Sequence, residues 1–233
     1  MISINLNLQP EKRFGYLKLA AEELKKGKIA ILPTSTIYGI SCVYDNAVSV
    51  NKVYEIKKRP QSLPFIILLP DISHVEMFAE EVTAPAKILI EKYWKPISEA
   101  AKPGKYTKTP DLTFKNLNPL TLVFKRKKIS RKQKSPAGSD KTIALRIDPL
   151  EILLPILSIC GPVISTSATL SGVSSNPQKI KDIPDAIRKD VDLIVDCGLA
   201  LPGLPSTIID VTGNVPLLLR EGKLKYSEIL ALL

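Results

Sequence analysis

Four short segments concentrate hydroxyl, guanidinium and ammonium groups, each at the end of a predicted strand or helix. Pro33-Thr34-Ser35-Thr36-Ile37-Tyr38-Gly39 places three hydroxyls and a run of backbone amides just past a strand. That set suits an anion or an amino-acid head group, and equally makes an ordinary Ser/Thr turn. Lys57-Lys58-Arg59-Pro60 closes a helix, where the dipole favours cations without any function. In a binding site, Lys57 would supply a compact charge and Arg59 a planar fork to phosphate oxygens. Ser165-Thr166-Ser167-Ala168-Thr169-Leu170-Ser171-Gly172 has five hydroxyls in seven residues, more than a turn needs. Such a loop presents hydroxyls and amides together to phosphates. The fourth is a pair: Pro205-Ser206-Thr207 entering one strand and Leu219-Arg220-Glu221-Gly222 leaving the next. There Arg220 is either a phosphate clamp or a solvated surface arginine.

Other chemistries lack their residues. No G-x-x-x-x-G-K-[ST] or G-x-G-x-x-G pattern is present, so bound ATP would not use a P-loop or a Rossmann turn. His74 is the single histidine, and a Ser-His-Asp triad or a multi-histidine metal site would have to rest on it alone. Cys42, Cys160 and Cys197 are widely spaced, form no C-x-x-C pair and read as buried structural thiols.

The elements that must position these segments follow from periodicity. Strands are predicted at Ile2–Leu6, Ile29–Leu32, Phe65–Leu69, Leu120–Lys125, Thr142–Ile147, Pro162–Ser165, Asp192–Asp196, Thr207–Val211 and Pro216–Arg220. Helices are predicted from Pro10 to about Lys26, capped by Gly27, and after Asp45 or Asn46 with Val50, Val53, Tyr54 and Ile56 on the apolar side. Two short helices flank Thr83, one covers Pro149–Ile159, and one starts at Asn176-Pro177 and ends near Lys189. From Lys95 to Leu117 the pattern dissolves into Pro, Gly, Lys and Thr, predicting a long surface loop. Strands and helices mix without strict alternation, which predicts an α/β fold with a mixed sheet.

Taken in order, PTSTIYG, KKRP, NPLTLVFK, ALRI, ISTSATLSG, PSTIID and LLLREG resemble the motifs of the YrdC-like family, over about Gly27 to Lys223. The resemblance implies the YrdC-like fold: a single domain over residues 1–233, with a twisted, mostly antiparallel mixed sheet around a basic concave cavity. It implies an activity too, L-threonylcarbamoyl-AMP synthase. This nucleotidyltransferase condenses L-threonine, bicarbonate and ATP, and a downstream tRNA threonylcarbamoyl transferase complex takes the product. By motif match, Thr36, Tyr38, Arg146 and Ser206 would hold threonine. Lys57 and Arg59 would act in catalysis. Lys57, Arg59, Thr121, Ser165, Ser167 and Arg220 would contact the nucleotide. Magnesium would ride in on the triphosphate, with no metal held by a protein cage. Ser35 stands where the family usually has an acid, Thr169 where it has the Asn of S-A-N, and Leu68 where some members have a His. KPGKYT (Lys102 to Thr107) and the R-E-G ending resemble the YciO branch of the family instead.

Length, composition and charge set the frame. The 233 residues are 45% hydrophobic and 24% charged, an ordinary globular balance. No apolar run approaches a membrane span and the N-terminus lacks a signal-peptide pattern, so the expected location is cytoplasmic, with no membrane partner. A net charge of +10 favours polyanionic partners and keeps tRNA or double-stranded RNA open as a partner. The basic run from Lys125 to Lys134 reads either as a solvated loop or as a phosphate-contacting strip; no aromatic residue interleaves with it to stack bases.

Overall fold

Alternation along the central strands decides which sheet face is core and which is open. Leu120, Leu122 and Phe124 point to one side, as do Ile143, Leu145, Ile67 and Ile209, and all join one buried apolar cluster. Their alternate neighbours Val123, Ala144, Arg146, Ile66 and Ile208 line a cavity on the other side. The computed structural model describes residues 1–7, 9–100, 112, 117–128, 141–173, 176–199 and 201–233.

Among the described residues, the strands are β1 (Ile2–Asn5), β2 (Ala30–Leu32), β3 (Gly39–Val43), β4 (Ile66–Leu68), β5 (Leu120–Lys125), β6 (Thr142–Arg146), β7 (Val163–Ser167), β8 (Leu193–Asp196), β9 (Thr207–Asp210) and β10 (Leu217–Arg220). They form one sheet in the order β1-β8-β2-β3-β7-β4-β6-β5-β9-β10. Five neighbouring pairs are antiparallel and four parallel, so the sheet is mixed with a slight antiparallel majority. The helices are α1 (Arg13–Lys25), α2 (Ala47–Lys57), α3 (Val75–Phe78), α4 (Ala84–Leu89), α5 (Lys95–Ala100), α6 (Leu153–Cys160), α7 (Asp185–Asp190) and α8 (Tyr226–Leu230). A second apolar cluster joins Leu17, Leu24, Val53 and Ile156 of the helices to Ile31, Ile40 and Cys42 of the strands.

Capping follows the local chemistry. Gly27 takes φ 83 just after α1, a left-handed conformation that costs glycine least. Asn46, not Asp45, caps α2 by accepting the Ser49 amide at 3.0 Å. Thr83 caps α4.

Several sequence expectations change. Gly39–Val43 is a strand that alternation did not announce, because three of its five residues are Gly, Ser and Cys. Lys95–Ala100 is helical and extends the run that starts at Ala84, so the expected loop does not begin at Lys95. Most of the rest of that loop, and residues 129–134 of the basic run, lie outside the described residues. Pro184 divides the helix expected from Asn176 to Lys189 into a short 3₁₀ turn (Ile180–Asp182) and α7, since proline cannot continue a helix through its ring. The C-terminal α8 was not anticipated.

Candidate functional site

The cavity measures about 500 Å³, within the range of small-ligand pockets. Three arginines line it, Arg59, Arg146 and Arg220, together with Thr34, Thr36, Ser165, Thr166, Ser167, Thr169 and Ser206. No carboxylate is among its lining residues in the described part of the chain.

The strand connection after β2 is shaped by its own hydroxyls. Thr34 Oγ1 accepts the amides of Thr36 and Ile37 at 3.2 and 3.3 Å and lies 2.7 Å from Thr36 Oγ1. Ser35 turns away: its amide and hydroxyl donate to the buried Asp148 at 2.9 and 3.0 Å. Asp148 was missed by motif reading, which stopped at Arg146, although a buried cation calls for a partner. Its Oδ2 sits 3.1 Å from Arg146 Nη2. Arg146 Nε is buried with no hydrogen-bond partner among the described residues.

The loop after β7 is strapped from behind. The Ala168 amide donates to the Tyr38 carbonyl and the Ser171 amide to the Lys57 carbonyl, both at 2.9 Å. Lys57, fully buried, donates its ammonium to the carbonyls of Ser167 and Thr169. Burial, then the neighbouring Arg59, pulls its pKa down to about 8. Gly39 packs closely against β7, since a Cβ there would lie 2.8 Å from Ser165 Oγ and 3.2 Å from the Thr166 carbonyl oxygen, so a larger residue would have to move the Ser165 hydroxyl.

Arg59 follows a left-handed Lys58 (φ 51) that ends α2 and turns the chain back. Its Nε and Nη2 donate to the carbonyls of Leu63 and Pro64 at 3.3 and 3.0 Å, and the guanidinium lies 5.4 Å from the centre of the Phe65 ring. Across the cavity, Arg220 donates from Nε and Nη2 to the Ser206 carbonyl at 3.1 and 2.9 Å, and from Nη2 to Ser206 Oγ at 3.1 Å. Burial lowers the pKa of all three arginines, and for Arg220 the nearby Arg146 adds to this; each remains cationic because guanidinium starts so high.

Of the residues expected at the site, Thr36, Arg59, Arg146, Ser165, Ser167, Ser206 and Arg220 face the cavity. Tyr38, Lys57 and Thr121, also expected there, are not among the lining residues. Tyr38 is fully buried, its hydroxyl donating to Asp196 Oδ1 at 3.0 Å and accepting the Cys197 amide at 3.1 Å. Thr121 is buried, 2.9 Å from Ser206 Oγ. The three cysteines are buried, and burial pushes Cys42 and Cys160 up to about 12, so neither is a ready nucleophile.

These features define a class: an α/β protein with an arginine- and hydroxyl-lined cavity on the open face of a mixed sheet. The family described as "Telomere recombination" (Sua5, YciO and YrdC) matches residues 22–108 and 97–222. The chain belongs to the Sua5/YciO/YrdC family. It is 28% identical over 229 residues to a protein of Pyrococcus abyssi named threonylcarbamoyl-AMP synthase, covering 98% of this chain and 60% of that one. A Methanocaldococcus jannaschii protein named putative threonylcarbamoyl-AMP synthase is 32% identical over 226 residues, 95% and 93% of the two chains. The solved structure of P. abyssi Sua5 complexed with L-threonine superposes with a TM-score of 0.76 at 25% identity, over 99% of this chain and 60% of that one. Escherichia coli YciO gives 0.69 at 25% identity, over 95% and 94%. The chain thus spans about 60% of the length of the P. abyssi relative.

Proposed function

We propose that this chain is an L-threonylcarbamoyl-AMP synthase, a nucleotidyltransferase acting on ATP, bicarbonate and L-threonine for tRNA modification in the cytoplasm. The observation that carries the reading is the cavity itself: three arginines and seven serines and threonines, with no carboxylate among the described lining residues. That charge pattern suits a triphosphate and two further anions in one chamber. The relatives named as threonylcarbamoyl-AMP synthases, and the P. abyssi structure with L-threonine, supply the substrate.

In this reading the threonine amine attacks the carbon of the bicarbonate-derived CO2 equivalent, losing a proton. The resulting carbamate oxygen attacks the α-phosphorus and pyrophosphate leaves with the electron pair of the broken P–O bond. Thr36, Arg146 and Ser206 orient the amino acid. Arg59, Ser165, Ser167 and Arg220 neutralise the phosphates. Lys57 and Thr121 act through Ser167 and Ser206, the groups they touch. Most of the rate gain would come from positioning, where effective molarities reach roughly 10⁵ M or more, and from fixed donors at developing charge, each worth about 10²-fold or more. Hydroxyls and guanidiniums do not make a magnesium cage, so magnesium would be held by the triphosphate. A downstream tRNA threonylcarbamoyl transferase complex would take the product, and tRNA would be met there.

The near-complete match to YciO over 91% of both chains favours one second reading, a paralogue that uses ATP on another amine. Purified protein given ATP, bicarbonate and threonine should release pyrophosphate only when all three are present. No release with threonine but release with another amino acid in its place would leave the paralogue; no release with threonine or with any other amino acid would end both enzyme readings.

A further inference from the structure

Asp148 lies two residues beyond Arg146, where β6 leaves the sheet, and is fully buried. Its Oδ1 accepts the amides of Ser35 at 2.9 Å and Leu150 at 3.1 Å. Its Oδ2 accepts the Ser35 hydroxyl at 3.0 Å and pairs with Arg146 Nη2 at 3.1 Å. A carboxylate offers about four acceptor positions, and here all are taken by donors from three stretches of chain.

The two oxygens have different duties. Oδ1 holds backbone, and with Leu150 it forms the turn that leads towards α6. Oδ2 holds only side chains, and those belong to Ser35, between the cavity residues Thr34 and Thr36, and to Arg146, itself a cavity residue. A turn cap alone would need Oδ1 only. We infer that Asp148 is a positioning residue that fixes the Thr34–Thr36 turn and the Arg146 guanidinium in one frame, prebuilding the amino-acid half of the cavity. Arg146 is thereby anchored through Nη2, which fixes the direction of a guanidinium that lines the cavity. The kinetic part of this inference rests on the synthase reading; the geometric part does not.

Asp148→Asn and Asp148→Ala separate the duties. The amide variant keeps an acceptor for the Ser35 and Leu150 amides but turns an NH2 group towards Arg146. In Asp148→Asn the KM for threonine should rise about tenfold or more while the KM for ATP moves less than about threefold. Amide hydrogen exchange at Ser35, followed by NMR, should stay close to wild type in Asp148→Asn and accelerate about 100-fold in Asp148→Ala. Equal rises in both KM values, or no rise in either, would reduce Asp148 to a plain structural group. Unchanged Ser35 exchange in Asp148→Ala would sink the geometric part. If wild-type protein shows no threonine-dependent turnover, the synthase reading fails, and the exchange measurement still decides whether Asp148 holds the turn. If Asp148→Ala does not fold, Asp148→Asn carries the kinetic comparison alone.

Discussion

The two sides of the cavity are held in different ways. On the central side, where β3 meets β7, the hydroxyl loops are pinned from behind by several buried groups at once: Tyr38 through its carbonyl, Lys57 through both carbonyl and ammonium, and Asp148 through Ser35. On the edge side, β9 and β10 end the sheet, and the exposed Leu217, Leu218 and Leu219 contribute little packing. There the Pro205–Thr207 loop is tied to β5 by Thr121 at Ser206 Oγ (2.9 Å) and by the Thr207 amide at the Pro119 carbonyl (3.1 Å), and its other contacts come from the turn after β10: Arg220 grips Ser206, the Gly222 amide donates to Thr207 Oγ1 at 2.9 Å, and the Lys223 amide donates to the Pro205 carbonyl at 3.1 Å. A wall pinned by several buried groups tolerates the loss of one contact better than an edge wall whose Ser206, Arg220 and Gly222 contacts all meet in one turn. Breaking each wall in turn tests that difference.

The largest effect is expected at Gly222. A Cβ there would lie 2.1 Å from the Pro205 carbonyl oxygen and 2.7 Å from the Thr207 nitrogen. These are backbone atoms with no freedom to swing aside, so the loop itself must move. Gly222→Ala should cost about 2–3 kcal/mol in denaturant unfolding, as overpacking does. It should also lower kcat/KM by about 100-fold, because Ser206 and Arg220 would be displaced together. Gly161→Ala is the matching control. Its φ of 80 strains any side chain, yet nothing lies within 4 Å of the added carbon. It should cost about 1 kcal/mol with kinetics unchanged. Similar kinetic losses in both would mean that the edge wall is not specially fragile.

How much of this was legible in the sequence differs along the same divide. Arg59, Arg220 and the serines could be found because their types at the ends of a helix and of strands suit anion binding, whereas Arg146 came only from the resemblance to the YrdC-like motifs. Seven of the expected residues do line one chamber. What was not legible is direction. Tyr38 sits between Ile37 and Gly39, both lining residues, yet points into the core. A turn that breaks strand alternation leaves no period from which to read its facing. Asp148 escaped for a related reason: one acid before a proline looks like a helix cap, and only the fold brings Ser35 beside it. The strand Gly39–Val43 was hidden because the close approach to Ser165 favours a glycine where a strand pattern asks for bulk.

Lys57 tests the redundancy of the central wall at an intermediate level. Lys57→Met would leave the carbonyls of Ser167 and Thr169 without its ammonium donor. Leaving such buried acceptors unpaired costs about 1–3 kcal/mol, partly offset because a desolvated charge is removed. With Tyr38 and the Ser171 amide still holding the loop, kcat/KM should fall roughly 10- to 100-fold rather than vanish. The pH dependence supplies a sharper reading. The pKa of Lys57 in the folded state, about 8, lies below its ordinary 10.5. Between those values the unfolded chain binds more protons, so this residue's contribution to stability rises with pH. Activity should move the other way, falling above about pH 8 as the ammonium strap loses its charge. Opposite slopes of stability and activity in wild type, both absent in Lys57→Met, are the expected result. A pH–rate profile unaltered by the substitution would remove Lys57 from the site.

The smallest effect is expected at Tyr38. Its hydroxyl is shared between Asp196 and Cys197, well away from the lining residues, and burial pushes its phenol pKa upward. Tyr38→Phe keeps the ring, and the backbone bonds to Ala168 and Pro177 do not involve the side chain. Asp196 Oδ1 would still accept the Gly198 amide at 2.8 Å, so the main loss is the acceptor for the Cys197 amide. Thermal unfolding should register about 1–2 kcal/mol. The KM for threonine should stay within about twofold of wild type, since substitutions that leave site geometry intact leave binding intact. A tenfold rise in that KM, with stability unchanged, would tie the Tyr38 hydroxyl to the threonine pocket. It would also make the central wall less redundant than its hydrogen bonds imply, because a single hydroxyl would then reach the substrate through a loop that Lys57 and Asp148 already hold.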